Sequence, residues 1–343
     1  MRRPPLLHIV ALAGVFVAIA LIGVHNVQGR AANALLNVSY DPTRELYRDI
    51  DAAFEREYTR KTGLHIDIRQ SHGGSSRQAR SVISGEQAAD VVTLGLFSDV
   101  DALRQRGVIA DGWADRLPHH SQPYYSTIVF VVRKGNPRHI RDWPDLVGPA
   151  TDVVTPNPRT SGNGKLSILA AWGSVIVRGG NDAQARDFLS KLYTHVVKFD
   201  AGARGAATTF ALEKTGDVQL AWENEALREV ADNPNELELV YPPVSILAEP
   251  YVAWVDTNTA RHHTEATARA YLEFLFTDEA QRVIASAGYR PFDSKIAQEF
   301  ASRLPSLQLF RITTFARDWD DANHRFFDEN GIFDAVSDSG HTS

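Results

Sequence analysis

Leu35-Leu36-Asn37-Val38-Ser39-Tyr40-Asp41-Pro42-Thr43-Arg44-Glu45-Leu46 changes character partway along. Its first half reads as a buried strand. Asp41 is a good helix N-cap, and Pro42 suits the first helical position. Leu46, Ile50, Ala53, Phe54 and Tyr58 then recur at helical spacing, and Gly63 offers a C-cap. The same order repeats further along. Residues 64–70 alternate apolar and polar as a strand does, and residues 75–84 read as a helix. Residues 89–94 are an apolar strand, and 99–106 a helix stopped by Gly107. Strand and helix in alternation predict a mostly parallel sheet with flanking helices.

A second unit follows. Residues 126–132 read as a crossover strand after a loop with Pro118 and Pro123. Strands are expected at 152–155, 196–199 and 218–222, with helices at 166–177, 182–193 and 208–214. Residues 237–241 and 251–255 read as the return. The expected fold class is α/β: two doubly wound α/β domains joined by crossover strands, with a ligand cleft between them. Residues 35–125 plus 245–335 form the first domain, 126–244 the second, and 336–343 a disordered tail.

Four polar stretches run straight into helices. They are Ser39–Thr43, Ser71–Ser76, Thr160–Gly164 and Asp200–Gly205. Each sits at a strand-to-helix junction, the edge where ligands bind in open parallel sheets. A helix start presents unpaired N–H groups and the positive end of the helix dipole, so four aimed at one point would hold a small anion. Any one of them alone reads as an ordinary cap. Gly162-Asn163-Gly164-Lys165-Leu166 lacks the P-loop spacing, which argues against a nucleotide.

The chain has 343 residues and a net charge of −6, with no cluster of Lys and Arg; this argues against nucleic acid as a partner. It has no cysteine, so disulfides, thiolate metal sites and Cys nucleophiles are excluded. Residues 1–34 contain Arg2 and Arg3, an apolar run from Leu6 to Val24, no Asp or Glu, and Ala32-Asn33-Ala34 as a small-x-small pattern. This reads as a signal peptide directing export to the periplasm, with an uncleaved membrane anchor as the alternative. His119-His120 and His262-His263 lack the i, i+4 spacing of a zinc motif and read as surface histidines.

Several motifs in series carry a resemblance. Residues 36–47 (Asn-Val-Ser-Tyr-Asp-Pro-Thr at their centre), Arg69-Gln70-Ser71-His72-Gly73-Gly74-Ser75, and Thr155-Pro156-Asn157-Pro158 are similar to periplasmic sulfate-binding proteins. So are Gly202-Ala203-Arg204-Gly205, Ala221-Trp222-Glu223-Asn224-Glu225-Ala226 and Ile246-Leu247-Ala248-Glu249-Pro250. The likeness covers residues 35–335 in order. It implies a type 2 periplasmic binding-protein fold and a hinge-closing receptor. Such a receptor delivers sulfate or thiosulfate to the membrane permease of an ABC importer, acts as a monomer, needs no cofactor and is not an enzyme. The resemblance also implies the ligand contacts: the backbone N–H of Asp41, the hydroxyls of Ser75 and Ser161, the N–H groups of Gly162, Asn163 and Ala203, and the Trp222 indole. Asn163 stands where the family often has Gly; its N–H survives if the backbone angle is one Asn tolerates. Arg204 is expected to be tied to a carboxylate beside the site, His72 to orient its loop, and Glu223 to bond to the loops.

These residue types suit sulfate, a dianion with no proton to give. Backbone N–H, Ser O–H and indole N–H all donate. Hydrogen phosphate needs an acceptor, so a pocket of donors rejects it. Molybdate and thiosulfate remain as alternative ligands. An exported hydrolase or sulfuryl-transfer enzyme is the alternative of another class; Asp90, Glu223 and Glu225 would be its carboxylates, though hydrogen bonding to the loops is their expected role.

Overall fold

The computed structural model describes residues 34–340; the expected signal segment lies outside them, save Ala34. Strand β1 (Ala34–Tyr40) is the centre of a four-stranded sheet in the order β10-β3-β1-β2. It pairs in parallel with β2 (Asp67–Gly73) and β3 (Val91–Leu94), while β10 (Tyr251–Trp254) joins β3 antiparallel. Helices α1 (Arg44–Thr62), α2 (Ser75–Ile83) and α3 (Phe97–Gln105) follow the three parallel strands. The buried stripe of α1, Leu46, Tyr47, Ile50, Ala53 and Phe54, is the 3.6-residue period made physical. Gly63 closes α1 in the left-handed region at φ 72° and donates to Thr59 O.

The second sheet has five strands in the order β6-β5-β7-β4-β8. β5 (Val153–Pro156) lies parallel to β6 (Val196–Asp200) and β7 (Val218–Trp222). β4 (Ile128–Arg133) runs antiparallel to β7 and to β8 (Leu237–Val240). Residues 126–132 and 237–241 were expected to be crossings; most of both are strands of this sheet. β4 is buried on both faces and β8 is half-buried at the sheet edge, and sequence alone does not distinguish such strands from crossings. The helices here are α4 (Gly162–Ile176), α5 (Asp182–Thr194), α6 (Ala203–Ala207) and α7 (Glu223–Asp232).

The chain passes between the units beside two antiparallel bridges, Tyr125 with Arg290 and Ser126 with Ala248. It crosses again between the helix Ser294–Glu299 and β11 (Gln308–Phe310), which pairs with β9 (Val244–Ile246). The last part of the chain departs from expectation. From β11 onward it packs largely on the second unit, although the helix Trp319–Phe326 also touches α3 of the first. Phe326 meets Trp172 edge-on at 5.0 Å, and Phe333 meets Tyr193 at 5.9 Å. Arg325 Nη2 donates to Asp182 Oδ2 at 3.0 Å. The expected disordered tail also departs: helix α8 (Ile332–Gly340) continues through residues 336–340, with Val336 buried. Phe333 and Val336 supply an apolar face, and the composition of the tail hid the surface waiting for it.

Candidate functional site

Five helix starts face the seam between the units. Tyr40 precedes the single 3-10 turn Asp41–Thr43, Gly74 precedes α2, Ser161 precedes α4, Gly202 precedes α6 and Trp222 precedes α7. All five preceding residues are extended, and none caps its helix with a side chain. At four of these starts the first N–H groups therefore stay available as donors, whereas that of Glu223, at the start of α7, donates to Thr127 O at 3.0 Å. Asp41 is thus not the cap its position suggested. Its carboxylate instead accepts from Arg44 Nη2 at 3.2 Å through Oδ1, while Oδ2 faces Gly202 across the seam.

The starts converge. A methyl group on Gly74 would overlap the carbonyl oxygen of Thr160 and lie 3.0 Å from that of Ala201, both in the second unit. One on Gly202 would overlap Asp41 Oδ2. One on Gly162 would lie 3.3 Å from Ser75 Cβ. One on Gly95 would meet Tyr40 at 3.3 Å, Trp222 at 3.4 Å and Ser75 Oγ at 3.6 Å. The Tyr40 and Trp222 rings lie 5.3 Å apart across the seam. Asp41, Ser75, Gly162, Ala203 and Trp222, or their immediate neighbours, therefore surround one place. Ser161, Asn163 and Ala203 are buried with them, and Trp222 has no exposed surface.

Asn163 lies within the first turn of α4 and is not among the residues with positive φ, so its backbone N–H is held in helical geometry. Its side chain Nδ2 donates to Leu220 O at 2.9 Å, fastening α4 to the strand that ends in Trp222. Ser75 differs from expectation. Its hydroxyl donates to Asp99 Oδ2 at 2.6 Å and accepts from Gly95 N at 3.0 Å. Ser76 donates to the other Asp99 oxygen at 2.8 Å, and Lys165 Nζ stands 3.7 Å from it. The proton of Ser75 is directed into the protein in this structure.

The neighbouring charges are paired. Arg204 Nη2 lies 3.0 Å from Glu45 Oε2 and 3.3 Å from Glu225 Oε1. Glu223, fully buried, forms a two-point pair with Arg290 at 2.6 and 2.7 Å, joining the second unit to the bridge beside Tyr125. His72 contributes its carbonyl, which accepts from Arg44 Nη2 at 3.3 Å, while its Nε2 is buried without a partner. Burial first, and the Arg44 charge second, push its imidazole down to about 4, so it is neutral at physiological pH. Asp90 is engaged elsewhere: it accepts from Leu36 N, Thr264 Oγ1 and the half-buried His262, which is therefore more than a surface residue.

Sequence reasoning missed Glu45, Asp99 and Arg290. Leu94-Gly95-Leu96-Phe97 is a fourth glycine-bearing strand-to-helix junction, and treating it like the others would have led to Asp99. Nothing local marks Arg290; its partner is 67 residues away.

Two α/β units, three crossings and a seam ringed with uncapped helix starts define a two-lobed solute receptor. The chain belongs to the bacterial extracellular solute-binding protein family, whose model matches residues 35–290. It is 48% identical over 305 residues to the sulfate-binding protein of Escherichia coli, covering 88% of this chain and 92% of that one. It is 43% identical over 308 residues to the thiosulfate-binding protein of Pseudomonas aeruginosa, covering 89% and 92%. Among solved structures, the sulfate-binding protein SubI from Mycobacterium tuberculosis superimposes with a TM-score of 0.79 at 30% identity, over 86% of this chain and all of that one.

Proposed function

We propose that this chain is a periplasmic receptor that encloses sulfate between its two units and delivers it to the permease of an ABC importer. The observation that carries the reading is the convergence of uncapped helix starts from both units on one buried place. The ligand donors are the N–H groups of Asp41, Gly162, Asn163 and Ala203, the Ser161 hydroxyl and the Trp222 indole. Ser75 joins them when its hydroxyl swings from Asp99 to the anion. Hydrogen bonds to a charged group contribute roughly 1.5–3 kcal/mol each. About six or seven give on the order of 10–20 kcal/mol before ordering and desolvation costs. Micromolar binding needs about 8 kcal/mol.

Closure follows from the division of donors. Asp41, Ser75 and the junction at Gly95 belong to one unit, and α4, α6 and Trp222 to the other. An anion satisfies both sets only when the cleft is shut, so it shifts the population toward that state. Sulfate, thiosulfate and molybdate offer acceptors alone, whereas hydrogen phosphate presents a proton to a donor. The receptor acts as a monomer with no catalytic step. Calorimetric titration of the exported protein with these four anions tests the reading. Sulfate is expected to bind at micromolar or tighter concentration and phosphate not at all. Equal affinity for phosphate, or silence with every oxyanion, refutes it.

A further inference from the structure

We propose that Glu45 is a latch that sets ligand affinity without touching the ligand, because it joins two arginines of the opposite unit when the cleft is shut. The inference rests on the receptor reading above.

Glu45 is the second residue of α1, directly after the turn that carries Asp41. Across the seam, Arg204 Nη2 lies 3.0 Å from Glu45 Oε2, and Arg228 Nη1 lies 2.9 Å from Glu45 Oε1. Both guanidiniums also reach Glu225 Oε1 at 3.3 Å. Arg204, Glu225 and Arg228 all belong to the second unit, so their mutual contacts survive opening. Glu45 is the member of the group that comes from the other side. Opening the cleft returns it to water and leaves the remaining three with one positive charge in excess. Closing brings back the fourth charge and balances the group.

The surroundings fit a contact that forms and breaks. Glu45 and the two arginines each keep about a third of their side chains exposed (36%, 30% and 31%), so none is stranded when they part. Glu225, by contrast, is buried and stays covered by its own arginines. Burial acts to raise the Glu45 carboxyl, but the hydrogen bond from Arg204 and the charges of Arg204 and Arg228 outweigh it and hold it below its ordinary value. The group borders a groove of about 860 Å³ along the seam, lined by residues of both units, through which salt reaches it. The latch also adjoins the ligand site. Arg204 follows Ala203, whose N–H is a proposed donor, and Gly202 packs on Asp41. Fastening Arg204 to Glu45 thus draws the start of α6 toward the Asp41 turn.

The test compares wild type with Glu45→Gln. The variant keeps the shape of the side chain and removes the charge. Sulfate affinity at low ionic strength is expected to fall about three- to tenfold, because a partly exposed charge network contributes modestly. The loss should appear as faster release in stopped-flow, with the association rate unchanged. It should shrink as sodium chloride is raised. The melting temperature of the ligand-free protein should stay the same, which separates a latch from a fixed structural bridge. Adding Arg228→Met to Glu45→Gln should weaken binding less than Arg228→Met does alone, since the two share one contact. Equal affinity of variant and wild type overturns the latch while the receptor reading stands. So does a salt-independent loss, or one matched by lower ligand-free stability. A wild type that binds no oxyanion overturns both.

Discussion

Replacing Gly74 with Ala separates closure from folding. Gly74 precedes α2 with φ −58° and ψ 131°, angles that any L-residue adopts, so alanine introduces no backbone strain. What it introduces is a methyl group that overlaps Thr160 O and stands 3.0 Å from Ala201 O, across the seam. Restoring an ordinary carbon contact of about 3.5 Å requires the units to part by roughly 1 Å at this point. The second unit's donors at Gly162, Asn163 and Ala203 then retreat from an anion held by the first. A hydrogen bond stretched from about 2.9 to about 3.9 Å is effectively lost. Losing two or three at roughly 1.5 kcal/mol each weakens binding by on the order of 100-fold or more. Each unit alone is untouched. Calorimetric titration with sulfate, beside thermal melts with and without ligand, reads both sides. The ligand-free melting temperature is expected to match wild type, and the rise on adding sulfate to vanish. Sulfate affinity within threefold of wild type refutes the closed geometry.

Trp222→Phe removes the indole donor while keeping an aromatic ring against Tyr40. Sulfate affinity should drop by roughly 10- to 150-fold, the equivalent of one hydrogen bond to a charge; a twofold change in titration counts against Trp222 as a ligand. Arg290→Met leaves Glu223 charged, fully buried and unpaired. Urea denaturation should show a loss of about 3–5 kcal/mol, and a loss under about 1 kcal/mol shows that the pair is not holding the units together. Glu229 is a buried carboxyl that burial first, and the Glu225 charge second, push up to about 8 from the ordinary 4.5. The folded state keeps a proton that the unfolded chain gives up. Stability is therefore full below about pH 4.5 and declines as pH rises through about 8. Glu229→Gln should flatten that slope in urea denaturation at pH 5, 6.5 and 8; an unchanged slope shows that another group titrates.

Much of the fold was legible because its signals are local. The spacing of Leu46, Ile50 and Phe54, the glycine at position 63 and the apolar run at Val91–Leu94 each act within a few residues. The strand-to-helix junctions at Tyr40, Gly74, Ser161 and Gly202 were legible for the same reason, and so was the chemistry of neutral donors. Less legible was everything that depends on what lies across a surface. Residues 126–132 and 237–241 pass for crossings until the sheet that buries them is known. Val336 looks like the start of a loose tail until the packing of α8 on α5 buries it.

The sequence by itself determined the order of strands and helices, four of the five helix starts and the absence of thiol chemistry, because each follows from backbone preference or composition. Only the tertiary structure decided that Gly74 must stay bare against Thr160 and that Ser75 gives its proton to Asp99. It alone joined Glu45 to Arg204 and Arg228, and Glu223 to Arg290. Those are contacts between residues far apart in the chain. Their partners are chosen by the packing of whole units, which no stretch of sequence encodes locally.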